Sequence, residues 1–209
     1  MLVMNKNKSK FSEFIGILLG DGCLSIYKYK NKKFYRLQIT LDARNDQYIN
    51  YISKLILKIF CIKAHVSFRK KEHTCDIKIF NREIIDFLID GIGLKLSPKW
   101  GRAVIPKKFY RTKYVLDVLR GYFDTDGCIT IVNNNGIKYP RIEMKICPSP
   151  MQKQFIKALQ RYGFNFGVYQ IGKGKVRVQL NGKKQVYRWS NLIGSNNIAK
   201  RTRIFSYSN

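Results

Sequence analysis

Residues 14–26, FIGILLGDGCLSI, and residues 119–131, LRGYFDTDGCITI, are two copies of one pattern. At a constant offset of 105 residues Gly16 matches Gly121, Asp21 matches Asp126, Gly22 matches Gly127 and Cys23 matches Cys128. Arg36 falls on Arg141 and Gln47 on Gln152 at the same offset. A duplication of this kind limits the chain to two equivalent units, each repeating one order of elements.

That order is legible after both copies. KFYRLQITL alternates, with Leu37, Ile39 and Leu41 to one face and Arg36, Gln38 and Thr40 to the other, as a half-buried strand requires. DQYINYISKLILKIF carries Ile49, Ile52, Leu55, Ile56 and Ile59 at helical spacing. HVSFRKK and CDIKIF read as a hairpin, and NREIIDFLIDGIG as a closing helix stopped by glycines. In the second half YPRIEMKIC is a strand with Ile142, Met144 and Ile146 inward. PMQKQFIKALQRYG is a helix between Pro150 and Gly163, GVYQI and KVRVQL form a hairpin, and KKQVYRWSNLIG closes the unit. The expected fold is α+β: duplicated αββαββα units related by a pseudo-two-fold axis. The units span 1–100 and 113–209, with 101–112 as the linker. The wider stretch LKLSPKWGRAVIPKKFYRT is basic and interrupted by Pro98 and Pro106.

Charge narrows the partner. Forty Lys and Arg stand against thirteen Asp and Glu, a net +27 in 209 residues. Such a chain repels itself unless a polyanion neutralises it, and DNA or RNA is the common dense intracellular polyanion. The cations are spread along the chain, so a basic globular surface is expected rather than a basic tail. The start, MLVMNKNKSK, lacks the apolar core of a secretory signal. No apolar run approaches the ~18 residues of a membrane span. Five cysteines without a Cys-x-x-Cys pair fit a reducing compartment, and Cys61, His65, His73 and Cys75 are poorly spaced for zinc.

Each motif reads as a short apolar helix ending in Asp-Gly. Small residues lie four apart at Gly16 and Gly20, and again at Gly121 and Thr125, so two such helices can approach closely. Paired across the pseudo-two-fold axis, they would bring Asp21 and Asp126 side by side at their C-terminal ends. Two carboxylates there repel each other and the negative end of each helix dipole. Divalent cations between them would invert that electrostatics, and hard oxygen ligands favour Mg²⁺ or Mn²⁺. On a basic surface, such a centre could hold metal against a phosphodiester. Asp90-Gly91, by contrast, reads as a plain helix stop. Lys99 and Lys200 each follow the closing helix of their unit and could polarise water or neutralise transition-state charge.

At these residues the chain resembles the LAGLIDADG homing endonucleases, specifically single-chain members with two motifs. Phe14 to Gly22 and Leu119 to Gly127 are the two motifs, and the likeness extends through Ile105-Pro106 to Leu192-Ile193-Gly194-Ser195-Asn196. The resemblance implies a monomer with two saddle-shaped antiparallel sheets along the DNA major groove and the motif helices between halves. It implies a site-specific, metal-dependent endonuclease that cuts both strands of a long double-stranded site and leaves 3′ overhangs. Asp21 and Asp126 would be the metal-ligating acids, joined by the backbone carbonyls of Gly20 and Thr125. Lys99 and Lys200 fall where members keep basic active-site residues. Mg²⁺ is the expected cofactor, Mn²⁺ a substitute, and Ca²⁺ an ion supporting binding without cleavage. Members are encoded in introns or as free-standing genes, and no splicing blocks flank this chain as an intein would require. An organellar or archaeal setting is expected. The alternatives are a maturase that folds its own intron RNA on the same scaffold, and a non-catalytic DNA-binding regulator.

One departure stands out. Many members place Gln at the end of the first long strand of each half, where this chain has Leu41-Asp42 and Ile146-Cys147. Asp42 is the candidate accessory group, and the two strand cuts are expected to differ in rate. Alternation nominates a DNA-facing set: Lys28, Lys30, Arg36, Gln38, Thr40, Arg69 and Lys78, then Arg141, Glu143, Lys145, Lys175, Arg177 and Gln179. Arg suits guanine, Gln adenine, and Glu the cytosine amino group. Gln38 against Glu143 and Thr40 against Lys145 imply a partly palindromic target.

Overall fold

The computed structural model describes residues 7–208, and side chains as far as Tyr207. The segment 1–6, on which the reading of the N-terminus largely fell, lies outside the described residues. The first half runs α1 (Lys8–Leu19), β1 (Gly22–Tyr29), β2 (Lys32–Asp42), α2 (Asp46–Phe60), β3 (His65–Arg69), β4 (Thr74–Ile79) and α3 (Arg82–Asp86). A short helix α4 (Lys107–Tyr110) precedes the second half. That half runs α5 (Val115–Asp126), β5 (Gly127–Asn134), β6 (Ile137–Ile146), α6 (Pro150–Arg161), β7 (Gly167–Gln170), β8 (Val176–Asn181), α7 (Lys183–Leu192) and α8 (Ile198–Ser208). Among the described residues no helix is long and apolar enough to cross a membrane.

The strands form two four-stranded antiparallel sheets, ordered β1-β2-β4-β3 and β5-β6-β8-β7. The duplication extends to register: Ser25 opposes Arg36 in the first sheet, and Thr130 opposes Arg141 in the second. One face of each sheet is apolar. Leu37, Ile39 and Leu41, and Ile142, Met144 and Ile146, are buried there against the helices. The other face carries polar side chains such as Arg36, Gln38 and Thr40, as expected of strands with strict two-residue alternation.

The motif helices α1 and α5 pack on each other at their glycines. A Cβ on Gly16 would overlap the Val118 carbonyl oxygen and lie 2.9 Å from the Tyr122 nitrogen. A Cβ on Gly121 would overlap the Glu13 carbonyl oxygen and lie 2.9 Å from the Ile17 nitrogen. Small residues are therefore required for contact between the two backbones, as their spacing indicated.

Two features go beyond the sequence reading. The joining stretch is packed. Ala103, Ile105 and Phe109 are buried, and the Gln154 side chain bonds both the amide (2.7 Å) and the carbonyl (2.9 Å) of Ile105. The second unit also has one helix more than the pattern allowed. The turn Ser195-Asn196-Asn197 is held by Asp124, which accepts from the Asn196 amide at 2.8 Å and the Asn197 amide at 3.3 Å. From that turn α8 departs, and Lys200 lies in its first turn.

Candidate active site

Helix α1 ends at Gly20, whose amide bonds Gly16 at 3.0 Å, and α5 runs through to Asp126. The ends are so close that a Cβ on Gly20 would collide with the Thr125 hydroxyl and sit 3.3 Å from Asp126 Oδ2. Asp21 and Asp126 thus leave neighbouring tips. Burial, then the charge of Asp126, pushes Asp21 up to about 6, with Lys99 and Lys200 acting the other way. Burial also raises Asp126, against the opposing influence of Lys99, Lys200 and the Tyr122 hydroxyl. The protein thus holds two carboxylates where their charged forms are disfavoured.

The lysines occupy equivalent places. Lys99 Nζ donates to the carbonyls of Leu18 (3.3 Å), Leu19 (2.9 Å) and Gly20. Lys200 Nζ donates to those of Phe123 (2.7 Å), Asp124 (3.0 Å) and Thr125 (3.0 Å). These are the same three positions at the offset of 105. An ammonium has three N–H donors, so each lysine is saturated by the last turn of a motif helix. Each is a cation at a helix C-terminus, which offsets the dipole that the acids aggravate. Burial lowers both lysine pKa values, opposed by the acids nearby. The Gly20 and Thr125 carbonyls, expected as metal ligands, are engaged by these ammoniums.

A cleft of about 450 Å³ opens beside Asp126, lined by Gly20, Lys99, Trp100, Tyr122, Lys145, Cys147 and Lys175. The Tyr122 hydroxyl is fixed by donating to the Lys145 carbonyl at 2.8 Å. Cys147 therefore borders the site. Asp42, the residue at the offset position of Cys147, is exposed. It forms a local ion pair with Arg44, whose NH2 lies 2.6 Å away, and hydrogen bonds from Arg44 lower its pKa to about 2.

Residues 113–204 match the family model described as a LAGLIDADG-like domain. The second half is therefore similar to that domain over nearly its whole length. The whole chain has the two-motif LAGLIDADG homing endonuclease fold. It superposes on I-DmoI in complex with DNA and Ca with a TM-score of 0.68 at 14% identity, covering 96% of this chain and 100% of that one. It superposes on I-WcaI bound to its DNA recognition sequence with a TM-score of 0.64 at 17% identity, covering 99% and 88%. Identities this low show the fold alone. A curated relative, the replication factor C small subunit of Methanocaldococcus jannaschii, is 28% identical over 196 residues. The match takes in 92% of this chain but only 9% of that protein's length.

The open faces of the two sheets hold most of the nominated set. Register puts Arg36, Gln38, Thr40, Arg69 and Lys78 on one face of the first sheet. Arg141, Glu143, Lys145 and Arg177 share the corresponding face of the second. Four nominated residues are placed or engaged differently from what strand alternation implies. Lys28 opposes Lys33 and lies on the Leu24 side of β1, the opposite face. Lys30 sits in the hairpin turn at φ +45°, next to Asn31 at +61°. Lys175 precedes β8, with its ammonium 5.4 Å from the Trp100 ring centre. Gln179 is on the expected face but only 4% exposed, and its amide donates to Glu143 Oε2 at 2.9 Å. Asp76 was not nominated, although it lies two residues before Lys78 on the same outward alternation and is the acid at the centre of that face.

Proposed function

We propose that this protein is a site-specific, divalent-metal-dependent endonuclease acting on double-stranded DNA, in which Asp21 and Asp126 hold the metal. The supporting observation is the meeting of these two desolvated carboxylates at the junction of two basic sheet faces. Burying like charges together is costly unless a cation joins them. The donor set fits Mg²⁺, which is commonly bound through one or two carboxylates plus substrate phosphate and water. No group of three or more His, Cys, Asp or Glu side chains suited to a metal forms among the described residues. The structural relatives named above were solved with DNA, which supports the same substrate here.

A bound divalent cation would supply Lewis-acid polarisation of a phosphate oxygen. The chain's own groups do the rest. Lys99 and Lys200 keep fixed positive charge within reach of both acids, so the centre tolerates a phosphodiester. Lys145 and Lys175, on the cleft beside Asp126, face the backbone that enters it. The open sheet faces carry the groove-reading side chains. One acid and one lysine per half support cleavage of both strands with 3′ overhangs, by a monomer on a partly palindromic site. The maturase and regulator readings give the paired acids no task.

The test is cleavage of a library of the host's own genomic DNA by purified protein with Mg²⁺, followed by sequencing of new ends. Recurrent staggered breaks at one long sequence, absent with Asp21→Asn and Asp126→Asn, support the endonuclease. Binding without any metal-dependent break, or tight binding of intron RNA alone, sinks it.

A further inference from the structure

The outer end of the first sheet carries exposed rings on the face that holds Arg36 and Gln38. Tyr27 opposes Phe34 and Tyr29 opposes Lys32, beyond the pair of Ser25 and Arg36. Even steps along a strand keep to one face, so these rings share the open one. Tyr27 is 39% exposed, Tyr29 60% and Phe34 36%. The Tyr27 and Phe34 rings stack, with centres 5.5 Å apart and planes 14° off parallel. Tyr29 meets Phe34 at 6.4 Å and 61°. Lys30 and Asn31, both at positive φ, make the two-residue turn that keeps hairpin strands paired to their ends, so the rings are held in place.

The setting is cationic. Residues 22–41 contain five Lys and Arg and no Asp or Glu. Arg36 Cζ lies 5.5 Å from the Tyr27 ring centre and Lys30 Nζ 5.6 Å from that of Tyr29, so a cation stands at each end of the row. Cross-strand rings stabilise a hairpin, but that task does not require them to be left open to water. An apolar patch rimmed by charge marks a contact surface, here one for an anionic partner that has an apolar group of its own. At the offset positions the second sheet has Val132 for Tyr27, Asn134 for Tyr29 and Tyr139 for Phe34. The one ring kept there has its hydroxyl engaged, accepting from Arg141 NH2 at 3.0 Å. The row of rings therefore belongs to the first half.

We propose that Tyr27, Phe34 and Tyr29 form an apolar platform that selects thymine, by its methyl group, in the outer part of the half-site bound by the first sheet. The major groove of B-DNA admits a two-stranded ribbon, and among the groups its base edges present the thymine C5-methyl is the apolar one. Phe34 has no polar atom with which to read any other. Tyr27 is six residues beyond Asp21, about 20 Å along an extended strand, which places the contact away from the metal centre. Uracil lacks this methyl, and the narrow major groove of an RNA helix does not admit side chains, so the platform suits DNA. The proposal rests on the reading of this face as the DNA interface.

The experiment is selection of bound duplexes from a randomised pool in Ca²⁺, with sequencing of the bound fraction. The wild type should enrich thymine at an outer position of one half-site. The selected duplex is then made again with deoxyuridine in place of that thymine, which removes the methyl and nothing else. Wild-type affinity should fall about fourfold, as expected for one methyl group no longer buried. Phe34→Ser should bind the thymine duplex more weakly and make no distinction between thymine and deoxyuridine there. Its preferences at the other positions should match the wild type, which shows that the sheet is intact. Selection without an outer thymine, equal wild-type binding of the two duplexes, or a full difference kept by Phe34→Ser would overturn the platform while leaving DNA recognition in place. No enriched sequence with wild-type protein would remove the DNA interface and this inference with it.

Discussion

Asp21 is buried beside Asp126: desolvation first, and then the charge of Asp126, carries its carboxyl from 3.8 to about 6. The folded value lies above the unfolded one, so the fold binds the extra proton more tightly. Stability from that proton is full below about pH 4 and is lost as pH rises through 6. The shift corresponds to about 3 kcal/mol as an upper bound, since the group keeps contact with solvent. Metal-free wild type should therefore lose stability relative to Asp21→Asn between pH 4 and 7. Urea unfolding of both proteins across that range measures the difference, and parallel curves would contradict the shared burial of the two acids.

Replacing either acid by its amide tests its role directly. Asp21→Asn or Asp126→Asn should abolish cleavage and spare DNA binding, because the basic sheets are untouched. It should also remove any rise in Tm that Mg²⁺ or Ca²⁺ gives the wild type. A variant cutting both strands at the wild-type rate would show that the acids do not hold the reactive centre.

The helix pair has no room for a methyl group. Gly16→Ala and Gly121→Ala each press a Cβ on the backbone of the facing helix, where no side chain can rotate aside. Overpacking of this kind costs about 1–3 kcal/mol. Relaxation would separate the helix tips, so cleavage should fall more than binding. Equal losses of the two, or neither, would mean that the close approach does not set the acid spacing.

These glycines show what made the site legible from sequence. Small residues four apart, repeated at one offset with an acid after each, state both a helix contact and a meeting of charges. Strand alternation likewise placed Arg36, Gln38 and Thr40 correctly, because one buried face fixes the other. It failed at Lys28 because the hairpin runs past the core, where no apolar residue marks the inward side. The lysines were found by spacing, but their saturation by three carbonyls was not, since it depends on a backbone end that only the fold brings to them. Helix α8 was hidden too: its first turn, IAKR, has no apolar stripe, and the turn that starts it is held by Asp124, 72 residues before Asn196 in sequence.

Lys99→Met and Lys200→Met should each uncap one motif helix and remove a cation from the centre. Three carbonyls lose their donor, at about 1–3 kcal/mol where a buried group stays unsatisfied. Cleavage should drop, and unequally for the two strands, because each lysine belongs to one half. A supercoiled plasmid carrying the target reads this as accumulated nicked circle. Wild-type linearisation by either variant would reduce that lysine to a surface charge.

The halves are also fastened by an acid that has no counterpart. Glu13 in α1 is fully buried, while the offset position holds Val118. Its Oε1 accepts from Tyr51 at 2.6 Å and from Asn196 in the second half at 2.7 Å. Its Oε2 takes Lys10 at 3.2 Å and Arg120 of α5 at 3.4 Å. Removing one partner of a buried ionic network leaves the others uncompensated, at about 3–5 kcal/mol. Glu13→Ala should therefore unfold at markedly lower urea. Glu13→Gln, which keeps one oxygen for Tyr51 or Asn196, should lose less. Because Asn196 adjoins the turn that launches α8, the stronger variant should also loosen Lys200 and show as faster amide exchange across 196–204. If Glu13→Ala is as stable as wild type, the network is not what joins the two halves, and the glycine contact alone must do so.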